Sequence, residues 1–221
     1  MADDYLPTVE VNAEGLSTAA VIWMHGLGAD GYNFVDVVDL LGLSSRGVRF
    51  IFPHAPHRPI TINNAYVMRA WYDVRTAEFT EREDRAGLDQ SRESIEALIR
   101  REVEKGISPS KIVLAGFSQG GAITLHTLLR NRLAGAIVLS AYLPLAHSAV
   151  LEVTQESNQT PILMMHGTKD TVIPISHGKS SRQQLETMGY PVQWLEYPMG
   201  HEVSIEQIEV IRTFLWKVLG F

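Results

Sequence analysis

A mostly parallel α/β sheet, flanked by helices on both faces, is the fold class that this sequence predicts. Three observations predict it. Short apolar runs rich in β-branched residues alternate with helical patterns along the chain. The runs are continuously apolar rather than alternating in polarity, as strands covered on both faces are. A serine between glycines, in Gly116-Phe117-Ser118-Gln119-Gly120, falls where a strand pattern gives way to a helical one.

The elements follow in order. Ala19–Met24 reads as a strand, Tyr32–Leu41 as a helix and Val48–Phe52 as a second strand. A long irregular stretch runs from Pro53 to about Arg85, with Pro53, Pro56, Pro59, Asn63 and Asn64 marking turns. Leu88, Ser91, Ile95, Leu98, Ile99 and Val103 recur at helical spacing and make Gly87–Lys105 an amphipathic helix. Lys111–Ala115 is a strand and Gly120–Arg130 a helix. Gly135–Ser140 and Pro161–Met165 are strands, Ser176–Met188 a helix, and Val192–Tyr197 a strand. Ile205, Ile208, Ile211, Leu215 and Val218 mark a closing helix. With 221 residues and no repeat or linker, the expectation is one domain over residues 1–221.

Composition excludes several classes. The 45% hydrophobic share suits a packed core and argues against disorder. A net charge of −6 with no basic run leaves no nucleic-acid footprint. No cysteine is present, which rules out disulfide and thiolate chemistry. Met1–Glu10 has neither a basic nor an apolar leader segment, and runs such as Ile162–Met165 are too short to span a bilayer. The chain therefore reads as cytoplasmic, without stable membrane insertion.

In parallel α/β sheets, ligands bind at the carboxyl ends of strands. Ser118 sits there. Side chains two positions either side of it would collide with neighbouring backbone, and glycine at 116 and 120 removes them. The helix N-terminus behind favours an anion at that point. A serine hydroxyl needs a base, and the base needs an orienting carboxylate. Asp170 is the only aspartate after Ser118, and it follows a strand. Glu152 and Glu156 lie in a connection, Glu186 in a helix and Glu196 within a strand. After Asp170 only His177 and His201 remain as bases. His177 opens a helix. His201 follows the strand Val192–Tyr197 in a loop at the same sheet edge, so Ser118, Asp170 and His201 are the expected catalytic set.

His25-Gly26-Leu27-Gly28 follows the first strand. With Gly31 it mimics a dinucleotide fingerprint, yet no acidic residue closes the following strand, which ends in Pro53. The preferred reading sets the backbone N–H groups of Leu27 and Gln119 as an oxyanion hole, with His25 pinning the loop. Trp71 and Tyr72 are open to two readings, an acyl-pocket wall or a satellite core under a long loop. Only a short connection joins Ser140 to Pro161, so no large lid domain is expected. The site is then open and suited to short acyl chains. No metal or organic cofactor is implied, and the expected partner is a small acyl ester or thioester substrate.

These segments, together with Pro53-His54-Ala55-Pro56, Trp71-Tyr72-Asp73, His166-Gly167-Thr168-Lys169-Asp170 and Gly200-His201, give the chain its resemblance. It resembles the carboxylesterase, lysophospholipase and acyl-protein thioesterase family of small α/β-hydrolases, over almost its whole length. The resemblance implies the same triad and oxyanion donors. It also implies that Trp71, Leu143 and Val172 contact substrate, and that a homodimer is one expected assembly. Arg69 departs from the proline that members often carry, which changes the wall beside Trp71.

Overall fold

The computed structural model describes residues 5–78 and 84–221. Residues 1–4, read above for a leader, and residues 79–83 of the irregular stretch lie outside the described residues. A central seven-stranded sheet has the order β1-β3-β2-β6-β7-β8-β9. Its strands are β1 (Thr8–Val11), β2 (Ala19–Met24), β3 (Val48–Pro53), β6 (Ile112–Phe117), β7 (Gly135–Leu139), β8 (Ile162–Gly167) and β9 (Val192–Tyr197). All neighbours are parallel except β1, which runs antiparallel to β3 at one edge. The fold is that of an α/β-hydrolase with a mostly parallel sheet.

Strand periodicity explains the continuous apolar runs. Along β2, Ala19, Val21 and Trp23 enter one core cluster, while Ala20, Ile22 and Met24 enter another on the opposite face. The first face is covered by α1 (Val37–Leu41) and α6 (Ile205–Leu219). The second is covered by α2 (Arg85–Glu104), α3 (Gln119–Leu128) and the Trp71 segment. Leu185 of α5 (Ile175–Thr187) packs with Val138 and Met164 in a third cluster. Both faces being buried, neither set of alternate positions needs to be polar.

Several boundaries and elements differ from the sequence reading. The first predicted helix, Tyr32–Leu41, is interrupted. A 3-10 turn, Gly31–Phe34, opens it, with the Asp30 carboxylate accepting from the Tyr32 N–H, and α1 begins only at Val37. The stretch from Pro53 is not wholly irregular. β4 (His57–Ile60) and β5 (Tyr66–Arg69) form an antiparallel hairpin. Their four-residue length and mostly exposed side chains leave no apolar pattern to read. Val103 was expected on the buried face of α2 but is 39% exposed. Glu102 is buried instead, because Arg49, Arg101 and Lys105 all pair with its carboxylate. Arg49 and Arg101 also pair with Glu10, so this network fixes β1, β3 and α2 together.

Topology places the site. From β2 the chain first adds β3 on one side, then crosses to add β6 on the other. The carboxyl ends of β2 and β6 therefore form the switch point where the winding reverses, the place at which open α/β sheets bind ligands. The loops carrying Leu27 and Ser118 leave from these two strands. Between β7 and β8 stand only α4 (Ala146–Ala149) and a 3-10 turn, Ser157–Gln159. No helix among the described residues is long and apolar enough to cross a membrane.

Candidate active site

Ser118 joins β6 to α3 in a strained turn, with φ 55° and ψ −120°. A non-glycine residue in this region costs about 1–3 kcal/mol, and packing must hold it there. The Ser118 N–H donates to Leu139 O at 2.9 Å. The flanking glycines are required by contact as well as by motif. A Cβ at Gly116 would lie 2.2 Å from Gly120 O, and one at Gly120 would lie 2.3 Å from Met24 O. The backbone passes too closely for any side chain, and this closeness leaves the hydroxyl standing above the turn.

Three loops bring the other groups to it. Ser118 Oγ lies 2.9 Å from His201 Nε2, and His201 Nδ1 lies 2.7 Å from Asp170 Oδ2. The His201 side chain is 15% exposed and the Asp170 side chain fully buried. Phe117 packs its ring 4.7 Å from that of His201, shielding it from solvent. Asp170 Oδ1 accepts from the N–H groups of Val172 and Ile173, both at 2.9 Å, which fixes the carboxylate. The loops carrying Asp170 and His201 are stitched by Thr168 N–H to Tyr197 O at 2.7 Å and Lys169 N–H to Met199 O at 3.0 Å. His177, the alternative base, sits half-buried in the first turn of α5.

The loop after β2, which carries Leu27, is held by His25. The Ala55 N–H donates to His25 Nε2 at 3.0 Å, so that nitrogen carries no proton. The proton is on Nδ1 and is donated to Gly26 O at 2.7 Å. In a planar trans peptide the C=O and the following N–H point opposite ways. Tying back Gly26 O therefore turns the Leu27 N–H away from the His25 ring. The loop passes close to Ser118, since a Cβ on Gly26 would be 3.4 Å from Ser118 Cβ. The N–H groups of Leu27 and Gln119 donate to no protein acceptor among the described residues. Gly31 is no phosphate-loop glycine. A Cβ there would lie 2.5 Å from Phe52 O, so the residue is packed against β3.

The Gln119 and Trp71 side chains have roles the sequence did not disclose. Gln119 Oε1 accepts from Trp71 N–H at 3.0 Å, and its Nε2 donates to Tyr72 O at 2.9 Å. Trp71 Nε1 donates to His25 O at 2.8 Å. Trp71 and Tyr72 are 0% and 1% exposed, within the second core cluster. Of their two readings, burial favours the core, with Trp71 also bracing the loop after β2 through His25 O. Leu143, in a different cluster, is 2% exposed, whereas Val172 is 57% exposed. The three residues named for substrate contact thus divide into two core side chains and one on the rim. Half-buried Arg69 donates from Nη1 to Ala55 O at 2.9 Å, and its own carbonyl accepts from Gly28 N–H. It ties β5 to the segment after β3, a bond that a proline could not make. A cleft of about 500 Å³, lined by Pro161, Val192 and Phe214 among others, lies at the opposite end of the strands.

Burial sets the histidines' protonation. His25 is pushed down to about 4, chiefly because desolvation penalises the charged ring. His54, His126 and His166 are lowered for the same leading reason. A depressed histidine contributes stability that is present above its unfolded value, near 6.5, and is lost as pH falls toward the folded value. The unfolded chain takes protons in that window and the folded chain does not. His25 alone then costs about 2 kcal/mol between pH 7 and pH 5. Urea unfolding should show a lower midpoint at pH 5 than at pH 7, and equal midpoints would refute this accounting.

With this geometry the fold and site define an α/β-hydrolase bearing a serine, a histidine and a carboxylate in hydrogen-bonded sequence. Residues 8–219 match the family described as Phospholipase/Carboxylesterase, and the chain belongs to that family. It is 39% identical over 225 residues to acyl-protein thioesterase 1 of Neurospora crassa, covering 96% of this chain and 92% of the relative. It is 36% identical over 214 residues to that of Gibberella zeae, covering 91% of each. Among solved structures, Arabidopsis thaliana SOBER1 superposes with a TM-score of 0.86 at 29% identity, over 91% of this chain and 99% of that one. Zea mays acyl-protein thioesterase 2 does so with a TM-score of 0.86 at 26% identity, over 98% of this chain and 100% of that one.

Proposed function

We propose that this chain is a serine hydrolase that cleaves carboxylic esters and thioesters through an acyl-enzyme intermediate. The observation that carries the reading is the continuous line from Ser118 Oγ through the His201 ring to Asp170 Oδ2, at 2.9 and 2.7 Å. His201 Nε2 takes the Ser118 proton as Oγ attacks the acyl carbon. Asp170 holds the Nδ1–H tautomer and stabilises the imidazolium. The N–H groups of Leu27 and Gln119 receive the developing oxyanion, where loss of one such donor costs roughly 3 kcal/mol. The C–O or C–S bond then breaks, and His201 gives its proton to the departing alkoxide or thiolate. Water, deprotonated by the same ring, attacks the acyl-serine, and Ser118 regains its proton as the acid leaves.

Small acyl esters and thioesters are the substrate class. Thioesters enter because the relatives are named acyl-protein thioesterases, and a thiolate leaves at least as readily as an alkoxide. The short β7–β8 connection supports a preference for short acyl chains, since it carries no large lid to enclose a long one. The test is hydrolysis of p-nitrophenyl esters from acetate to palmitate, with an acyl-thioester in parallel and fluorophosphonate labelling of Ser118. Labelling with turnover that declines along the series is the expected result. An unlabelled, inactive protein would leave a non-catalytic binding role on this scaffold.

A further inference from the structure

A second buried histidine stands beside the acid, and the mechanism above makes no use of it. His166 lies within β8, is 1% exposed, and is followed by Gly167 as His25 is by Gly26. Its Nε2 lies 2.8 Å from Ile173 O. A carbonyl only accepts, so Nε2 carries the proton, the opposite tautomer to that of His25. Ile173 is the residue whose own N–H donates to Asp170 Oδ1. The two bonds close a turn. Its amide end grips the carboxylate, and its carbonyl end is anchored on β8. The same Nε2 also lies 3.5 Å from Asp170 Oδ2, the oxygen that faces His201.

The other side of the ring is sealed. A Cβ at Gly178 of α5 would lie 2.6 Å from His166 Nδ1 and 2.9 Å from Trp194 Cη2. The Trp194 ring packs 6.0 Å away, between centroids. The ring therefore has a single orientation, with Nε2–H directed at the acid turn.

We propose that His166 is a positioning residue for the carboxylate of the triad, holding the Asp170–Ile173 turn on the end of β8 and setting its N–H dipole beside Asp170 Oδ2. The inference rests on the proposed triad. The charged and titratable groups around the ring are consistent with a neutral donor. Asp170 and His201 lie on the site side, and Glu196 of β9 on the other, paired at 3.0 Å with Lys179 of α5. Burial favours the neutral form of His166, so the ring acts as a dipole and not as a second cation competing with His201.

Two substitutions separate positioning from packing. In His166→Phe a planar ring remains but the donor is lost. The turn loosens, and kcat should fall roughly tenfold to a hundredfold with KM little changed, as small misplacements of catalytic groups do. Without the N–H dipole 3.5 Å from Oδ2, the Asp170 carboxylate attracts imidazolium more strongly. The acid limb of the kcat/KM profile should then move to higher pH. His166→Gln, whose amide nitrogen can occupy the place of Nε2, should restore both. Amide exchange at Val172 and Ile173 should accelerate in His166→Phe and return toward wild type in His166→Gln. If His166→Phe does not fold, His166→Asn serves, because its amide is too short to reach Ile173 O. The proposal is overturned if the acid limb stays in place and both amides keep their protection in the donor-less variant. It is also overturned if His166→Gln is as impaired as His166→Phe. Wild-type labelling by a fluorophosphonate, with ester turnover, separates this failure from failure of the triad itself. If wild type neither labels nor turns over, both readings fall together.

Discussion

Ser118→Ala is expected to reduce ester turnover by about a millionfold while leaving the fold intact. The loss is large because attack, base and oxyanion stabilisation act as a unit, and without Oγ there is no acyl-enzyme. The fold should survive because alanine has the same Cβ as serine and meets the same φ of 55°. The backbone bond from residue 118 to Leu139 O does not involve the side chain. Thermal unfolding should therefore shift by a few degrees at most, and fluorophosphonate labelling should vanish. A variant retaining a tenth of wild-type activity would sink the nucleophile assignment whatever the geometry.

Asp170→Asn is expected to cost on the order of ten-thousandfold in kcat, with substrate affinity largely kept. Asp170 Oδ1 accepts two backbone N–H bonds, from Val172 and Ile173. The amide of an asparagine must keep its oxygen there, so its NH₂ faces His201. A donor at that position forces His201 Nδ1 to accept, which moves the ring proton to Nε2. The ring would then present a hydrogen to Ser118 Oγ and could not take one. The drop should exceed that of any substitution at His177, which sits half-buried in the first turn of α5. If Asp170→Asn and wild type have equal kcat, the carboxylate is not the orienting group.

The elements that failed to show in the sequence share a cause. Neither β1 nor the β4–β5 hairpin has a buried face repeated long enough to leave a pattern. β1 is a four-residue edge strand, recognisable only by pairing with β3 some forty residues on. The hairpin turns through Asn64 and Ala65, both at positive φ, and alanine gives no turn signal. In the last turn of α2 Glu102 is buried in place of Val103, because Arg49 of β3 joins its neighbours Arg101 and Lys105 in pairing with it. Helix periodicity records which side of a helix is apolar and says nothing of a carboxylate buried with its counter-charges.

Legible in the sequence alone were the succession of the longer strands and helices, the turn at Ser118 and the order of Ser118, Asp170 and His201 along the chain. Those features are written locally. A double-sided strand must be apolar throughout, and a turn in which a Cβ at Gly116 would lie 2.2 Å from Gly120 O accepts only glycine there. The tertiary structure alone decided how these pieces meet. It put the ends of β2 and β6 side by side, and brought His201 rather than His177 to Asp170. It buried Trp71 as a brace and set His25 and His166 in opposite tautomers. Each of these depends on residues distant in the chain, and on side-chain directions that only packing fixes.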